Sequence, residues 1–343
     1  MSRTTVAVAL GSGGARGYAH IGVLQVLAEH DYEIVAIAGS SMGALIAGLH
    51  AAGRLDQYTT WVQGLNQLDV MRLMDVSLSA PGVIHAAKIL DKVREILGVV
   101  QIEDLPIPFT AVATDLTSGR PKWFQKGPVD TAIRASIAIP GVITPYVHNG
   151  RVLVDGGILD PVPIAPLAAA GADLIIGVDL GADTGGIDSE VADTPTATVP
   201  GAIEAIRQAA SPILDRDFVR SIVDRFAGDP GANDADTVDA DSLDAEADSS
   251  ARRHPETESR VITSPADDSS VRKLSRFTVM DRSLDIMQEA LARYQLAAFP
   301  PDLLIEVPRT AIRSLDFHRA GEMIDLGRTL TERALDDLQT RRW

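Results

Sequence analysis

The chain has 343 residues, 45% hydrophobic but only 4% aromatic, enough for about two domains and a large core built on Ala, Val, Leu and Ile. It contains no cysteine, which excludes disulfides, thiolate metal sites and a cysteine nucleophile and agrees with a reducing compartment. A formal net charge of -16, with no basic stripe to neutralise phosphates, argues against a nucleic-acid partner and against docking on anionic lipid by bulk electrostatics.

Residues 4–10 read as a first buried strand. The apolar run Val6 to Leu10 is too short for the core of a signal peptide, and no run approaches the ~20 apolar residues of a spanning helix. The expected location is cytoplasmic, with peripheral membrane contact left open. The strand enters Gly11-Ser12-Gly13-Gly14-Ala15-Arg16-Gly17, and a helix follows over 18–27, with Ile21, Leu24 and Leu27 at helical period. Strand, glycine loop, helix and strand begin a βαβ unit, so a parallel sheet is expected. The loop is not a dinucleotide fingerprint, because Arg16 stands where a third glycine is required and no acid closes the second strand. Nor is it a P-loop, since Gly-Lys-Ser/Thr is absent. A loop of exposed backbone N–H groups beside a nucleophile, an oxyanion hole with Arg16 adding positive charge, fits better than these two. A tight turn with a surface arginine is the plainer alternative.

The second strand, from Ile34 to Ala38, breaks at Gly39-Ser40-Ser41-Met42-Gly43, and a small-residue apolar helix follows at once. G-x-S-x-G between strand and helix is the nucleophile-elbow arrangement. The sharp turn projects the Ser41 hydroxyl, and side chains at Gly39 or Gly43 would collide with neighbouring backbone. The first N–H groups of the helix, from Met42 to Leu45, lack intrahelical partners and make the site electropositive. Ser41 is the candidate nucleophile. A glycine-rich packing turn is the alternative.

Residues 53–98 have a helical pattern. Trp61, Val62, Leu65, Leu68, Met71, Leu73 and Met74 form an apolar face, read either as core packing or as a flap that receives acyl chains, and Pro81-Gly82 interrupts it. A strand is expected over 108–116, a hairpin partner at 122–124, a short helix over 130–137, and a strand over 151–154 running into Asp155-Gly156-Gly157. That position suits a carboxylate held in an open site, or a turn-forming aspartate. A helix over 164–170 and a buried strand over 173–179 follow. Beyond a polar loop, residues 203–226 read as an amphipathic helix. Residues 229–270 hold twelve acidic residues against three arginines and are expected to be disordered. Helix 284–291, strand 302–307 and helix 317–338 complete the chain. The division is residues 4–181 as the first part of one α/β domain, 182–274 as an insertion, and 275–340 completing the domain.

The glycine loop, G-x-S-x-G and Asp-Gly-Gly, in this order and at compatible spacings, resemble the patatin-like phospholipases, particularly the bacterial branch related to the neuropathy target esterase catalytic domain. The resemblance covers residues 4 to about 181 and about 275 to 335, and Arg134-Ala135-Ser136-Ile137-Ala138-Ile139-Pro140-Gly141 shares it. It implies a three-layer α/β/α fold with a mainly parallel sheet and a serine–aspartate dyad without histidine. Ser41 would be the nucleophile and Asp155 the base, with Gly13, Gly14 and Arg16 at the oxyanion. Gly11, Gly17, Gly39, Gly43, Gly156 and Gly157 complete the motifs. The implied activity is hydrolysis of carboxylic esters of phospholipids or lysophospholipids through an acyl-enzyme, in which an aspartate base requires a partly dry site. The chain departs from the family pattern at Ser12, where the family's first loop glycine would stand.

Two other readings stay open. A conventional Ser-His-Asp hydrolase needs a histidine after an acid in chain order. His318 is late enough but lies in a helical segment, His254 lies in the acidic stretch, and His20 and His30 come too early. A non-catalytic lipid-binding protein on the same fold would be expected to lack Ser41 or Asp155, and both are present. No metal-ligand cluster and no cofactor motif is visible.

Overall fold

The computed structural model describes residues 3–74, 87–140, 142–182 and 276–341. The expectations for 203–226 and 229–270, and the break at Pro81-Gly82, lie outside these residues. All described residues belong to one compact unit formed by 1–188 and 272–343.

The unit is built on an eight-stranded sheet. β1 (Thr5–Leu10) lies at its centre, between β2 (Glu33–Ser40) and β7 (Leu174–Ala182), and pairs parallel with both. β3 (Phe109–Asp115) extends the parallel set beyond β2, and β8 (Leu303–Pro308) extends it beyond β7. β4 (Arg120–Phe124) and β6 (Arg151–Asp155) are antiparallel to β3, and β5 (Tyr146–His148) is antiparallel to β6. β1 is apolar without alternation and buried on both faces, as a central parallel strand requires.

The two faces of the sheet differ in side-chain size. Val6, Val8, Leu10 and Ile37 point into the main core. There they meet α1 (Ala19–Glu29), α2 (Met42–Ala51), α6 (Val129–Ser136) and α8 (Ala320–Arg341). Ala7, Ala9, Ala36 and Ala38 face the other way, under Val162, Ile164 and Leu167 and under Ala292 of α7 (Arg276–Ala298). Helices therefore cover both faces, giving the three-layer α/β/α fold.

α1 and α8 pack with their backbones nearly touching. A Cβ on Gly22 would overlap the Ile324 carbonyl oxygen, and one on Gly327 would overlap that of Ala19. α3 (Leu55–Gln63), α4 (Gln67–Leu73) and α5 (Ala87–Leu97) account for the helical pattern of 53–98. Asn66 caps α4 through a reciprocal bond with Asp69.

Several elements differ from the sequence expectation. β5, two half-buried residues around an exposed Val147, has no apolar run to announce it. The helix expected over 164–170 is a single 3-10 turn, Ala165–Leu167, with N–H groups bonding three residues back before Gly171, at φ +67°, turns the chain toward β7. α7 is far longer than 284–291, at 23 residues. The closing helix begins at Ala320, after a 3-10 turn at Phe317–Arg319.

Gly22→Ala and Gly327→Ala are each expected to lower unfolding free energy by about 1–3 kcal/mol through overpacking of the α1–α8 contact. Urea denaturation measures this directly.

Candidate active site

The site is assembled on one edge of β3. β2 and β4 both pair with Ala111 and Val112, so they lie on opposite edges of β3. β4 and β6 both pair with residues from Ala113 to Asp115, so they too lie on opposite edges. β6 therefore takes over the edge that β2 leaves. β2 runs parallel to β3 and ends at Ser40, opposite Val112. β6 runs antiparallel and ends at Asp155, opposite Ala113. The two strands finish head to head, which brings together residues 114 positions apart.

Ser41 turns the chain from β2 into α2 with φ 55° and ψ −122°, a left-handed conformation that is costly for a residue with a Cβ. The turn closes only because Gly39 and Gly43 lack side chains: a Cβ on Gly39 would overlap Gly43, and one on Gly43 the Leu10 carbonyl. The Ser41 hydroxyl donates to Asp155 Oδ2. Asp155 Oδ1 accepts the Gly157 N–H at 2.8 Å. A Cβ on Gly156 would strike the Val112 carbonyl, and one on Gly157 the Ser12 hydroxyl, so the Asp-Gly-Gly turn also depends on missing side chains. Both members of the pair are 3% exposed. Burial pushes the Asp155 carboxyl up to about 6, against the opposing pull of its bonds to Ser41 and Gly157. It is thus ionised near neutral pH yet basic enough to accept a proton.

The glycine loop lies beside this pair, at the end of β1 where the strand order reverses direction. Its N–H groups divide into two sets. Those of Gly11, Ser12 and Ala15 bond to the carbonyls of Val178, Pro161 and Ser314 at 3.0, 2.8 and 2.8 Å. Those of Gly13 and Gly14 have no acceptor among the described residues. Gly14, at φ +57°, lines the same cavity as Ser41. In α2 the N–H groups of Ala44 and Leu45 bond to the Ser41 carbonyl, leaving those of Met42 and Gly43 without an acceptor among the described residues. Ser12 has no positive φ and is held through its N–H, so a serine fits where the family pattern has glycine. Gly11 approaches the Val178 carbonyl and Gly17 the Met42 side chain too closely for a Cβ.

The Arg16 side chain is held by the loop itself and by chain far from it in sequence. Its guanidinium donates to the Gly13 carbonyl from Nε (3.1 Å), to the Arg309 carbonyl from Nη1 (3.1 Å) and to Asp285 from Nη2 (3.2 Å). Buried and paired there, it anchors the loop to α7 and to the chain after β8.

No histidine bonds to Ser41 or Asp155 among the described residues. His20 is fully buried behind the loop, with Nε2 2.8 Å from the Gly11 carbonyl oxygen, and burial lowers its pKa to about 4. His30 pairs with Glu332, and His318 lies in the turn before α8. No group of three His, Asp or Glu stands close enough to hold a metal among the described residues.

An apolar cavity opens onto Ser41. Its walls come from α2 (Leu45), α3 (Trp61), the α3–α4 connection (Leu65), α4 (Leu73), the stretch after α6 (Ile139, Ile143) and Phe317. The apolar residues of 61–74 therefore separate by role. Val62 packs in the core, Trp61, Leu65, Leu73 and Met74 line the cavity, and Leu68 and Met71 face solvent, 62% and 54% exposed.

A buried serine–aspartate pair at a strand–helix elbow, beside a glycine loop on a mainly parallel sheet, defines an α/β protein of the patatin type. Residues 8–168 match the model of the patatin-like phospholipase family. Over 98% of this chain and 92% of theirs, an "uncharacterized NTE family protein" of Mycobacterium tuberculosis and another of Mycobacterium bovis are 51% identical. A "lysophospholipase NTE1" of Cryptococcus neoformans is 35% identical over 51% of this chain, which corresponds to 11% of that much longer protein. The chain belongs to the patatin-like phospholipases, in their NTE family.

An acid whose native pKa exceeds its unfolded value holds its proton more tightly when folded. Asp155, at about 6 against an ordinary 3.8, therefore favours the native state at low pH and loses that contribution as pH rises from about 4 through about 6. Asp155→Asn is expected to be more stable than the wild type above pH 6, with the difference vanishing near pH 4. Denaturant unfolding of both proteins across this range checks the sign.

Proposed function

We propose that this protein is a serine esterase that cleaves carboxylic ester bonds of phospholipids or lysophospholipids through a Ser41–Asp155 dyad and an acyl-enzyme intermediate. The observation that carries the reading is the buried hydrogen bond from Ser41 to Asp155, next to an apolar cavity that Ser41 and Gly14 both line, with the N–H groups of Gly13 and Gly14 left without an acceptor among the described residues. Asp155 takes the proton as Ser41 Oγ attacks the ester carbonyl, and the charge that develops on the carbonyl oxygen is received by the two glycine N–H groups. Each such donor is worth about 3–4 kcal/mol in other hydrolases. Collapse of the tetrahedral species returns the proton to the departing alcohol. Water then attacks the acyl-enzyme, Asp155 accepts its proton, and Ser41 is regenerated. The apolar cavity holds the acyl chain.

The substrate is a lipid rather than a nucleic acid, and access is peripheral. No helix among the described residues is long and apolar enough to cross a membrane. We place the protein in the cytoplasm, meeting lipid through the outer face of α4, where Leu68 and Met71 stand opposite the residues that line the cavity. Replacing both by serine is expected to slow hydrolysis of phosphatidylcholine vesicles about tenfold, because two apolar side chains no longer enter the lipid. Turnover of a water-soluble butyrate ester should stay within about twofold.

Labelling with a fluorophosphonate and hydrolysis of a short-chain ester test the chemistry. Ser41→Ala is expected to abolish both, and Asp155→Asn to lower kcat about a thousandfold or more while remaining folded. In the wild type the labelling rate should rise with pH through an apparent pKa near 6, as Asp155 ionises. Undiminished labelling of Ser41→Ala would overturn the proposal.

A further inference from the structure

The stretch from Arg134 to Pro140, common to this chain and the family it resembles, has no part in the chemistry described above. It nevertheless touches both members of the dyad. Ser136, the last residue of α6, has no exposed surface. Its hydroxyl oxygen accepts the Ser41 backbone N–H at 2.9 Å, and its proton goes to the Val112 carbonyl at 2.5 Å. Two residues on, the Ala138 carbonyl accepts the Asp155 N–H at 3.0 Å.

These bonds answer a need created by the sheet. Where β2 turns away at Ser40 and β6 arrives at Asp155, the Val112 carbonyl and the Ser41 N–H lie inside the protein without strand partners. One hydroxyl, acceptor to the first backbone and donor to the second, satisfies both. It also holds Ser41 in its left-handed conformation and occupies that residue's N–H, so the oxyanion falls to other donors.

We propose that Ser136 is a positioning residue for the nucleophile, locking the Ser41 peptide to β3 so that its hydroxyl stays aimed at Asp155. The proposal rests on the serine–aspartate reading above. Ser136 touches no reacting atom, so its loss should slow acylation and leave substrate binding alone.

The test compares wild type, Ser136→Ala and Ser136→Cys for the rate of fluorophosphonate labelling of Ser41, for kcat and KM on a butyrate ester, and for melting temperature. Ser136→Ala is expected to label about 10- to 100-fold more slowly, with kcat reduced to match and KM within about twofold. Ser136→Cys nearly preserves volume but is a weak hydrogen-bond partner, so it should show the same loss. Labelling and kcat within twofold of wild type in either folded variant overturn the proposal. So does a loss that only tracks the unfolded fraction. Should the alanine variant fail to fold, the cysteine variant decides on the same criteria. A wild type that is not labelled at Ser41 refutes the dyad itself, an outcome distinct from normal wild-type labelling with equally fast variants.

Discussion

The structure depends on a handover along one edge of β3. β2 occupies that edge as far as Val112, β6 occupies it from Ala113, and the two strands run in opposite directions to meet there. A serine and an aspartate at the two strand ends are then within hydrogen-bonding reach without any long side chain to bridge them. The cost is local. Backbone groups at the junction lose their ladder partners, Ser41 takes a left-handed conformation, and a carboxylate is withdrawn from water. Missing side chains at Gly39, Gly43, Gly156 and Gly157, and the Ser136 hydroxyl, are what make the junction fit.

The site is completed by chain from beyond the insertion. The Ser314 carbonyl holds the Ala15 N–H, and Arg16 ties the Gly13 carbonyl to Asp285 and to the Arg309 carbonyl. Phe317 closes one wall of the cavity. β8 adds to the same sheet as β1, so these residues are placed by the register of β7 with β8 rather than by proximity in sequence. A buried arginine with one carboxylate and two carbonyls around it is a rigid anchor, since losing Asp285 would leave its charge uncompensated and losing a carbonyl would leave a buried donor unpaired. That rigidity keeps the Gly13 and Gly14 N–H groups unbonded and in place.

Burial shapes both the carboxylate and the cavity beside it. The same dryness that raises the Asp155 pKa also makes the cavity over Ser41 a place for hydrocarbon. Desolvation raises the Asp155 carboxyl, and its bonds to Ser41 and the Gly157 N–H pull the other way. Ionised Asp155 destabilises the folded chain.

Much of this was legible in the residues. The elbow is a steric statement, because a strand can turn into a helix at Ser41 only if both flanking positions lack a Cβ. The placement of Asp155 follows from an apolar run ending in an acid and two glycines, and α1 and β1 follow from period and burial. These are local patterns, and local patterns survive in one dimension. What tertiary structure decided is everything set by pairing at long range. β5 is too short and too exposed to carry a pattern. The helix expected over 164–170 is one 3-10 turn. In the sequence Arg16 is a positive charge beside the nucleophile, and only the fold shows that its guanidinium pairs with Asp285, 269 positions away. Ser136 was one residue in a motif without a role, because the two backbone groups it satisfies are stranded only when β2 and β6 share an edge. Sequence spacing determines which conformations a segment can adopt, while strand register alone determines which unpaired groups meet.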